Sequence, residues 1–388
     1  MSEPADKVPL KASRRVLIVA GEASGDRYGA GLMDAVGRLA PGVRFSGIGG
    51  SLMRRAGLAP LMDAEKIAVL GFVEVLTSLP VIRRAFRHCV DELASKPDLC
   101  LLIDYPGFNL RLAREAHRAG VPVIYFVSPQ VWAWKAGRVK EIARSVDQML
   151  VIFPFEEEFY RQRGVQVTFV GHPLLDLLKT HGPRLPREAA ARRFGLDPGK
   201  RIIGLLPGSR RKEARRNLPP ILGAARLLAQ RFPDLQFVIP VASTLSRQAL
   251  EEWVDLPGVV YTERDFYEAI HLCEAAIVSS GTATMEVGLL EVPMVVVYRL
   301  NPLTFSMARA MTSLPHVAIV NLVAGRRIVP ELIQSDCTPQ RIAAEVERLL
   351  ADRILYERTR RDLRAMRAML GQGGAFERAA EIIARKLR

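Results

Sequence analysis

Residues 275 to 299, AAIVSSGTATMEVGLLEVPMVVVYR, restrict the fold more than any other stretch of the chain. Ala275 to Val278 is a short apolar run with the β-branched content of a buried strand. It stops at Ser279-Ser280-Gly281-Thr282, the small hydroxylated residues that open and cap a helix. The helix runs to about Glu291, Pro293 ends it, and Met294 to Tyr298 reads as the next strand. Strand, helix and strand in this order make a βαβ unit, and the two strands must lie parallel. Ligands of such sheets sit beyond the carboxyl ends of the strands, where a helix N-terminus offers free N–H groups and a positive dipole end to anions. Ser280, Gly281, Thr282 and Ala283 stand at that place. Gly281 lets the backbone come close to a phosphate, and Glu286, about one turn into the helix, offers a carboxylate to both hydroxyls of an attached ribose. The unit reads as half of a nucleotide site, or as a turn of the kind any α/β protein has.

The same alternation runs through the rest of the chain. RRVLIVA (14 to 20) is a strand leading into Gly21-Glu22-Ala23-Ser24-Gly25-Asp26 and then a helix from about Tyr28 to Leu39. This G-x-x-x-G loop is not the dinucleotide fingerprint, which disfavours a nicotinamide or flavin site. Glu22 and Asp26 place negative charge where a pyrophosphate would sit, so the loop with Ser24 suits a hydroxyl-rich group such as a sugar. DLCLLIDY (98 to 105) is a strand with Asp104 at its carboxyl end. There the carboxylate either takes a proton from a substrate hydroxyl or caps the following helix. Asn109 bonds either the substrate or the turn. VPVIYFVS (121 to 128) is the next strand, and the loop after it carries Trp132 and Trp134, whose tasks are packing a lid, stacking on a sugar or meeting lipid. Strands at 148 to 154 and 167 to 170 follow, with His172 either stabilising its turn or acting in catalysis.

From about Leu174 to Lys200 the pattern loosens around Pro183, Pro186 and Pro198, which marks a domain boundary. A second doubly wound unit begins at Arg201. Gly208-Ser209-Arg210 after its first strand is either a phosphate-facing loop, with Arg210 as a charged fork, or a solvated basic helix start. Strands at 236 to 241 and 259 to 261 lead back to the 275 to 299 unit. Beyond it the reading is a helix near 303 to 314, a strand near 317 to 321 with Asn321 at its end to read a base edge, and a helix opened by Val329-Pro330-Glu331. The segment 339 to 388 is helical and basic, its arginines forming a solvated face or an anionic-lipid contact. The expected organisation is a flexible N-terminus at 1–13, a Rossmann-like domain at 14–180, a linker at 181–200, a second Rossmann-like domain at 201–350 and C-terminal helices at 351–388. The last of these either returns to the first domain or crosses to a partner chain. The fold class is α/β, with two doubly wound domains facing a cleft.

Ile67 to Ile82 places Phe72, Val75, Leu76 and Leu79 at helical spacing, with Pro80 punctuating the helix and Arg83, Arg84 and Arg87 behind it. This is a helix covering the sheet, or a patch for acyl chains and a membrane surface. Burying each such side chain is worth roughly 1.5–3 kcal/mol, against about 1 kcal/mol for an arginine near an anionic surface, so apolar insertion would dominate. The net charge of +14 calls for an acidic partner, which nucleic acid, anionic lipid or phosphorylated substrates supply. No zinc or RNA-binding module supports nucleic acid. The four cysteines lack metal-type spacing and read as reduced core residues, and neither a signal peptide nor an 18-residue apolar run is present.

The ordered motifs VAGEASGD (19 to 26), DYPGFN (104 to 109), SPQVWAW (128 to 134), FPFE (153 to 156), FVGHPLLD (169 to 176), LLPGSR (205 to 210), SGTATME (280 to 286) and PMVVVYR (293 to 299) resemble the lipid A disaccharide synthase family. The resemblance implies a GT-B glycosyltransferase on the cytoplasmic face of a Gram-negative inner membrane. It implies a condensation of UDP-2,3-diacylglucosamine with 2,3-diacylglucosamine 1-phosphate to the β-1,6-linked disaccharide 1-phosphate and UDP. Asp104 is then the expected base, with Glu22 the competing carboxylate. Gly208, Ser209, Arg210, Ser280, Gly281, Thr282, Ala283, Glu286 and Asn321 fall on the nucleotide. Ser24, Asn109, Trp132, Trp134, Phe72, Val75, Leu76 and Leu79 fall on the lipid acceptor. Neither cofactor nor metal is expected, because no Asp-x-Asp motif stands where a diphosphate would need it; a homodimer stays open. A lipid-linked N-acetylglucosamine transferase, a UDP-sugar 2-epimerase and, from another class, a basic nucleic-acid-binding protein are the alternatives.

Overall fold

The computed structural model describes residues 14–63, 75–129, 138–242, 244–301, 305 and 315–388, with only the backbone at 63 and 75–78. Phe72, Trp132, Trp134 and the helix expected at 303–314, save Phe305, lie outside that set. The first sheet contains β1 (Arg15–Ala20), β2 (Arg44–Gly49), β3 (Leu58–Asp63), β4 (Leu99–Ile103), β5 (Val123–Phe126), β6 (Gln148–Val151) and β7 (Val167–Phe169). The second contains β8 (Arg201–Leu206), β9 (Leu235–Pro240), β10 (Val260–Thr262), β11 (Ala275–Ser279), β12 (Met294–Tyr298) and β13 (Glu331–Ile333). Strand order is β3-β2-β1-β4-β5-β6-β7 in one and β10-β9-β8-β11-β12-β13 in the other, and every pairing is parallel.

The connecting helices of the first unit are α1 (Ala23–Leu39), α2 (Ser51–Arg55), α3 (Val75–Ala94), α4 (Pro106–Arg118), α5 (Val139–Ser145), α6 (Pro154–Arg161) and α7 (Pro173–His181). Those that follow are α8 (Arg187–Arg193), α9 (Arg211–Arg231), α10 (Arg247–Glu251), α11 (Phe266–His271), α12 (Thr282–Leu289), α13 (Ile319–Ala324), α14 (Pro339–Ala351), α15 (Arg353–Met369) and α16 (Ala375–Lys386). Val16 and Ile18 enter one apolar cluster and Leu17 and Val19 another, all with no exposed surface. A parallel strand covered by helices on both faces therefore reads as an unbroken apolar run, as RVLIVA does. The cluster holding Val16 and Ile18 continues into Ile202, Val278 and Val296, so one apolar core joins the two sheets.

The C-terminal helices divide between the two units. Gly288 on α12 packs on Leu363 and Met366 of α15, whereas Phe376 on α16 packs on Gly31 of α1. Asp176 of α7 accepts from the backbone N–H groups of Gly374 and Phe376, and Arg378 donates to the Val170 carbonyl. The arginines of α15 are largely engaged with protein. Arg360, Arg364 and Arg367 converge on Glu291, whose carboxyl is held below its usual range chiefly by the Arg364 hydrogen bond.

Several expectations are corrected. α1 begins at Ala23, so Gly25 and Asp26 belong to its first turns and the loop is only Gly21-Glu22. α3 runs through Pro80 instead of being punctuated by it. Residues 319–324 form α13 where a strand was expected, and Glu331 opens β13 where a helix was expected. β2 and β3 were not anticipated. RFSGIG looks like a glycine loop, and LAPLMD carries a proline; Pro60 is tolerated on an edge strand beside a register shift between Gly47 and Ile48.

Candidate active site

Both sheets reverse strand order at one point, between β1 and β4 in the first and between β8 and β11 in the second. Crevices at such points are where α/β sheets hold ligands. The loops that carry the sequence candidates follow these four strands. Gly21 and Glu22 follow β1, Asp104 follows β4, Gly208 to Arg210 follow β8, and Ser280 to Thr282 follow β11.

Asp104 is held by an unusual backbone. Asp104 and Tyr105 both adopt left-handed conformations, with φ of 46° and 50°, each of which costs a non-glycine residue about 1–3 kcal/mol. Three groups fix the turn. Tyr125 donates its hydroxyl to the Asp104 carbonyl at 2.5 Å, and Asn109 Nδ2 donates to the carbonyls of Asp104 at 2.8 Å and Ile103 at 3.1 Å. Gly21 leaves room for the Tyr105 ring, which would lie 2.4 Å from a Cβ there. Asn109 is wholly buried, so its expected acceptor contact is corrected: it positions Asp104. Burial, followed by the nearby charges of Glu22 and Glu156, pushes the Asp104 carboxyl up to about 7 against the pull of the Tyr105 N–H and of Arg210.

Asp26 is also corrected. Its carboxylate accepts from the N–H groups of Gly50, Leu52 and Met53 at 2.7, 3.0 and 3.0 Å, capping α2 away from any pyrophosphate. Glu22 stays at the crevice, and Arg210 Nη2 meets its carboxylate across the cleft at 3.1 Å. Glu156, of the FPFE motif, is buried and accepts from Ser128 Oγ at 2.6 Å and from the Phe153 N–H at 3.1 Å. His172 accepts from the Leu174 N–H through Nδ1, is buried beside Tyr28 and Phe153, and is pushed down to about 3 by that burial. It stabilises its turn in the neutral form.

In the second unit, Gly208 has φ of 118°, and a Cβ there would run into the Glu213 side chain at 2.7 Å. α9 starts directly after Arg210 and α12 directly after Gly281, neither with a side-chain cap. Asn217, buried inside α9, ties three strand ends together. It donates to the Pro207 carbonyl at 3.2 Å and to Ser279 Oγ at 2.8 Å and accepts from the Arg299 N–H at 3.1 Å. Ser279 in turn donates to Glu213 at 3.0 Å. Ser209, Thr282 and Arg210 are exposed at this rim, with Ser280, Gly281 and Ala283 half-buried beside them. Glu286 is buried in α12, where Arg27 and Tyr267 reach it. Asn321 does not read a base edge. It is fully buried in α13, accepts from the N–H groups of Ile328 and Val329, and donates to the Val329 carbonyl and Glu331.

A cavity of about 390 Å³ joins the two halves, lined by Ser24, Tyr28, Asp104, Arg138, Glu156 and His172 from the first and Thr282, Met285 and Ile319 from the second. A cavity of about 420 Å³ between α14 and α15, rimmed by Arg326, Arg327, Arg348 and Arg358, includes none of the candidate residues. Val75, Leu76 and Leu79 lie on the first turns of α3, and only Leu79 has a described, half-buried side chain. Sequence reasoning passed over Arg27, Glu156, Glu213, Asn217 and Tyr267. An asparagine inside an apolar helical face, as in NLPPIL, is the signal that would have found Asn217.

Two parallel α/β units facing a shared cleft define the GT-B class of nucleotide-sugar enzymes, and solved structures agree in fold. A UDP-N-acetylglucosamine 2-epimerase from Neisseria meningitidis bound to UDP-GlcNAc aligns with a TM-score of 0.62 at 14% identity, covering 96% of this chain and 100% of that one. A calicheamicin glycosyltransferase aligns with a TM-score of 0.59 at 17% identity, covering 97% and 98%. The family model described as lipid-A-disaccharide synthetase matches residues 16–384. The lipid-A-disaccharide synthase of Geobacter sulfurreducens is 48% identical over 374 residues, 96% of this chain and 97% of that protein. The chain belongs to the lipid-A-disaccharide synthase family and is a glycosyltransferase.

Proposed function

We propose that the enzyme joins UDP-2,3-diacylglucosamine to 2,3-diacylglucosamine 1-phosphate in a single inverting displacement with Asp104 as the base. The observation that supports this best is one cavity in which Asp104 and Ser24, from the first switch point, face Thr282 and Met285, from the second. Asp104 takes the proton of the acceptor 6-hydroxyl, whose oxygen bonds the anomeric carbon of the donor. The bond from that carbon to the diphosphate oxygen breaks, and UDP leaves with the electron pair. A carboxyl titrating near 7 is matched to proton removal at neutral pH.

The second unit holds the donor. Glu286 takes the ribose, and the uncapped start of α12 together with Gly208, Ser209 and Arg210 takes the diphosphate. Negative charge grows on the leaving group in the transition state, where Arg210 and the helix dipole stabilise it. A diphosphate that draws the Arg210 guanidinium from Glu22 leaves Glu22 as a second carboxylate near Asp104, which makes Glu22 the competing base. Acyl chains lie along α3, and its arginines with the net positive charge hold the protein to the cytoplasmic face of an anionic inner membrane. Among the described residues no helix is long and apolar enough to cross one.

The test is a mass-spectrometric assay of purified protein, in detergent, with both acylated substrates. Tetraacyl disaccharide 1-phosphate and UDP are expected in equal amounts. UDP release without disaccharide would keep the donor site and refute the acceptor assignment.

A further inference from the structure

One side chain of the acceptor half reaches into the nucleotide half. Arg27, on α1, donates from Nη1 to Glu286 Oε1 at 2.7 Å, a contact between residues 259 positions apart. The same oxygen accepts from the Tyr267 hydroxyl at 3.1 Å. The Glu286 side chain keeps 11% of its surface exposed and that of Arg27 41%. Among the described residues Oε2 has no partner, so one carboxylate oxygen is doubly held and the other is free to accept.

The stem of Arg27 is also fixed. On one side of it in α1, Asp26 is tied to the N-terminus of α2 by three backbone N–H groups. On the other, Tyr28 is buried with its ring edge-on to that of His172. α1 thus presents the guanidinium to the second unit from a packed base.

We infer that Arg27 is a positioning residue for the donor: with Tyr267 it fixes the rotation of the Glu286 carboxylate, so that a ribose hydroxyl meets an oriented acceptor. The inference rests on the ribose role of Glu286 in the proposed function and extends the donor site into the acceptor half. A charge-assisted bond at this distance orients a carboxylate. Without the bond, the side chain is held only by Tyr267 and turns more freely, and an acceptor that must first be ordered binds its ligand more weakly. The nucleotide then reports on the docking of the two halves, because its ribose acceptor is set by a residue from the other sheet.

The experiment is calorimetric titration of the full-length protein with UDP and with 2′-deoxy-UDP, for the unaltered chain and for Arg27→Met, Arg27→Lys and Glu286→Gln. Arg27→Met is expected to weaken UDP about tenfold, as loss of a bond to a charged group does, and to weaken 2′-deoxy-UDP less, so that discrimination between the two shrinks. Arg27→Lys retains the charge without the fork and should fall between. Arg27→Met binding UDP as tightly or more tightly, with Glu286→Gln weakened, would show that Arg27 only occupies the carboxylate; the inference fails and the donor site stands. Loss of UDP affinity with discrimination unchanged reduces Arg27 to a structural role and also overturns the inference. Glu286→Gln binding UDP normally refutes the ribose role itself. Should Arg27→Met fail to fold, Arg27→Lys carries the same comparison.

Discussion

The two switch points occupy the same place in sheets that share a strand order apart from the extra edge strand β7, yet they carry opposite chemistry. After β1 and β4 stand Glu22 and Asp104, with buried Glu156 behind them, and the carboxyl of Asp104 is pushed up to about 7. After β8 and β11 stand Arg210 and an uncapped helix start, with the carboxylates beside them engaged, Glu213 by Ser279 and Glu286 by Arg27 and Tyr267. Both walls use strand-end loops fixed from below, by Tyr125 and Asn109 on one side and by Asn217 on the other. The architecture therefore supplies only the position. In the proposed function the acidic wall takes a proton and the basic wall an anion.

If that division is right, the largest effect comes from Asp104→Asn, which should lower kcat about 10³-fold, within the range for loss of a general base. UDP affinity, measured by calorimetry, should stay within about twofold. Lost UDP binding with a modest change in kcat would move Asp104 to the nucleotide wall. Arg210→Ala should cost about a hundredfold in kcat, and a loss seen only in acceptor KM would break the assignment of the basic wall.

The pH profile sharpens the same contrast. A base with a carboxyl near 7 makes kcat/KM rise with pH through a midpoint near 7. Glu22→Gln removes a neighbouring negative charge and should move the midpoint down. Stability runs the other way. The Asp104 pKa lies above its unfolded value, so the native state binds the extra proton, and stability from this group is lost as pH rises from about 4 to 7. The melting-temperature gain of Asp104→Asn over the unaltered chain should grow across that window; a constant difference would argue against the raised pKa.

Asn109→Ala leaves the Asp104 carbonyl with fewer donors and should destabilise by about 1–3 kcal/mol, read in denaturant melts, with kcat falling more than KM rises. His172 gives the smallest effect. Its folded pKa near 3 lies below its unfolded value, so the stability it contributes is present above about 6.5 and lost as pH falls toward 3. His172→Asn can still cap α7, and its melting temperature should decline less on acidification.

Family and fold class were legible because they rest on local patterns. Apolar strand runs, hydroxylated turns and helix starts recur in order, and every strand end that carries the site was placed from the sequence to within two residues. β2 and β3 escaped because glycine and proline mask an edge pairing that only the neighbouring strand stabilises. Asn109 and Asn321 were assigned to ligands, and the Asp26 charge to the crevice, because a polar residue near a strand end looks the same whether its partner is a substrate or a backbone group. In each, the structure shows the backbone partner.

The sequence by itself determined the alternation of strands and helices, the strand-end loops, and the placing of Asp104, Arg210 and Glu286 at their positions in them. These follow from periodicity and turn chemistry, which act over a few residues. Only the tertiary structure decided which charges meet: Arg210 with Glu22, Arg27 with Glu286, and Glu156 near Asp104. Electrostatic partners and desolvation depend on distances through space, and packing sets those distances between segments that the sequence keeps 50 to 260 residues apart.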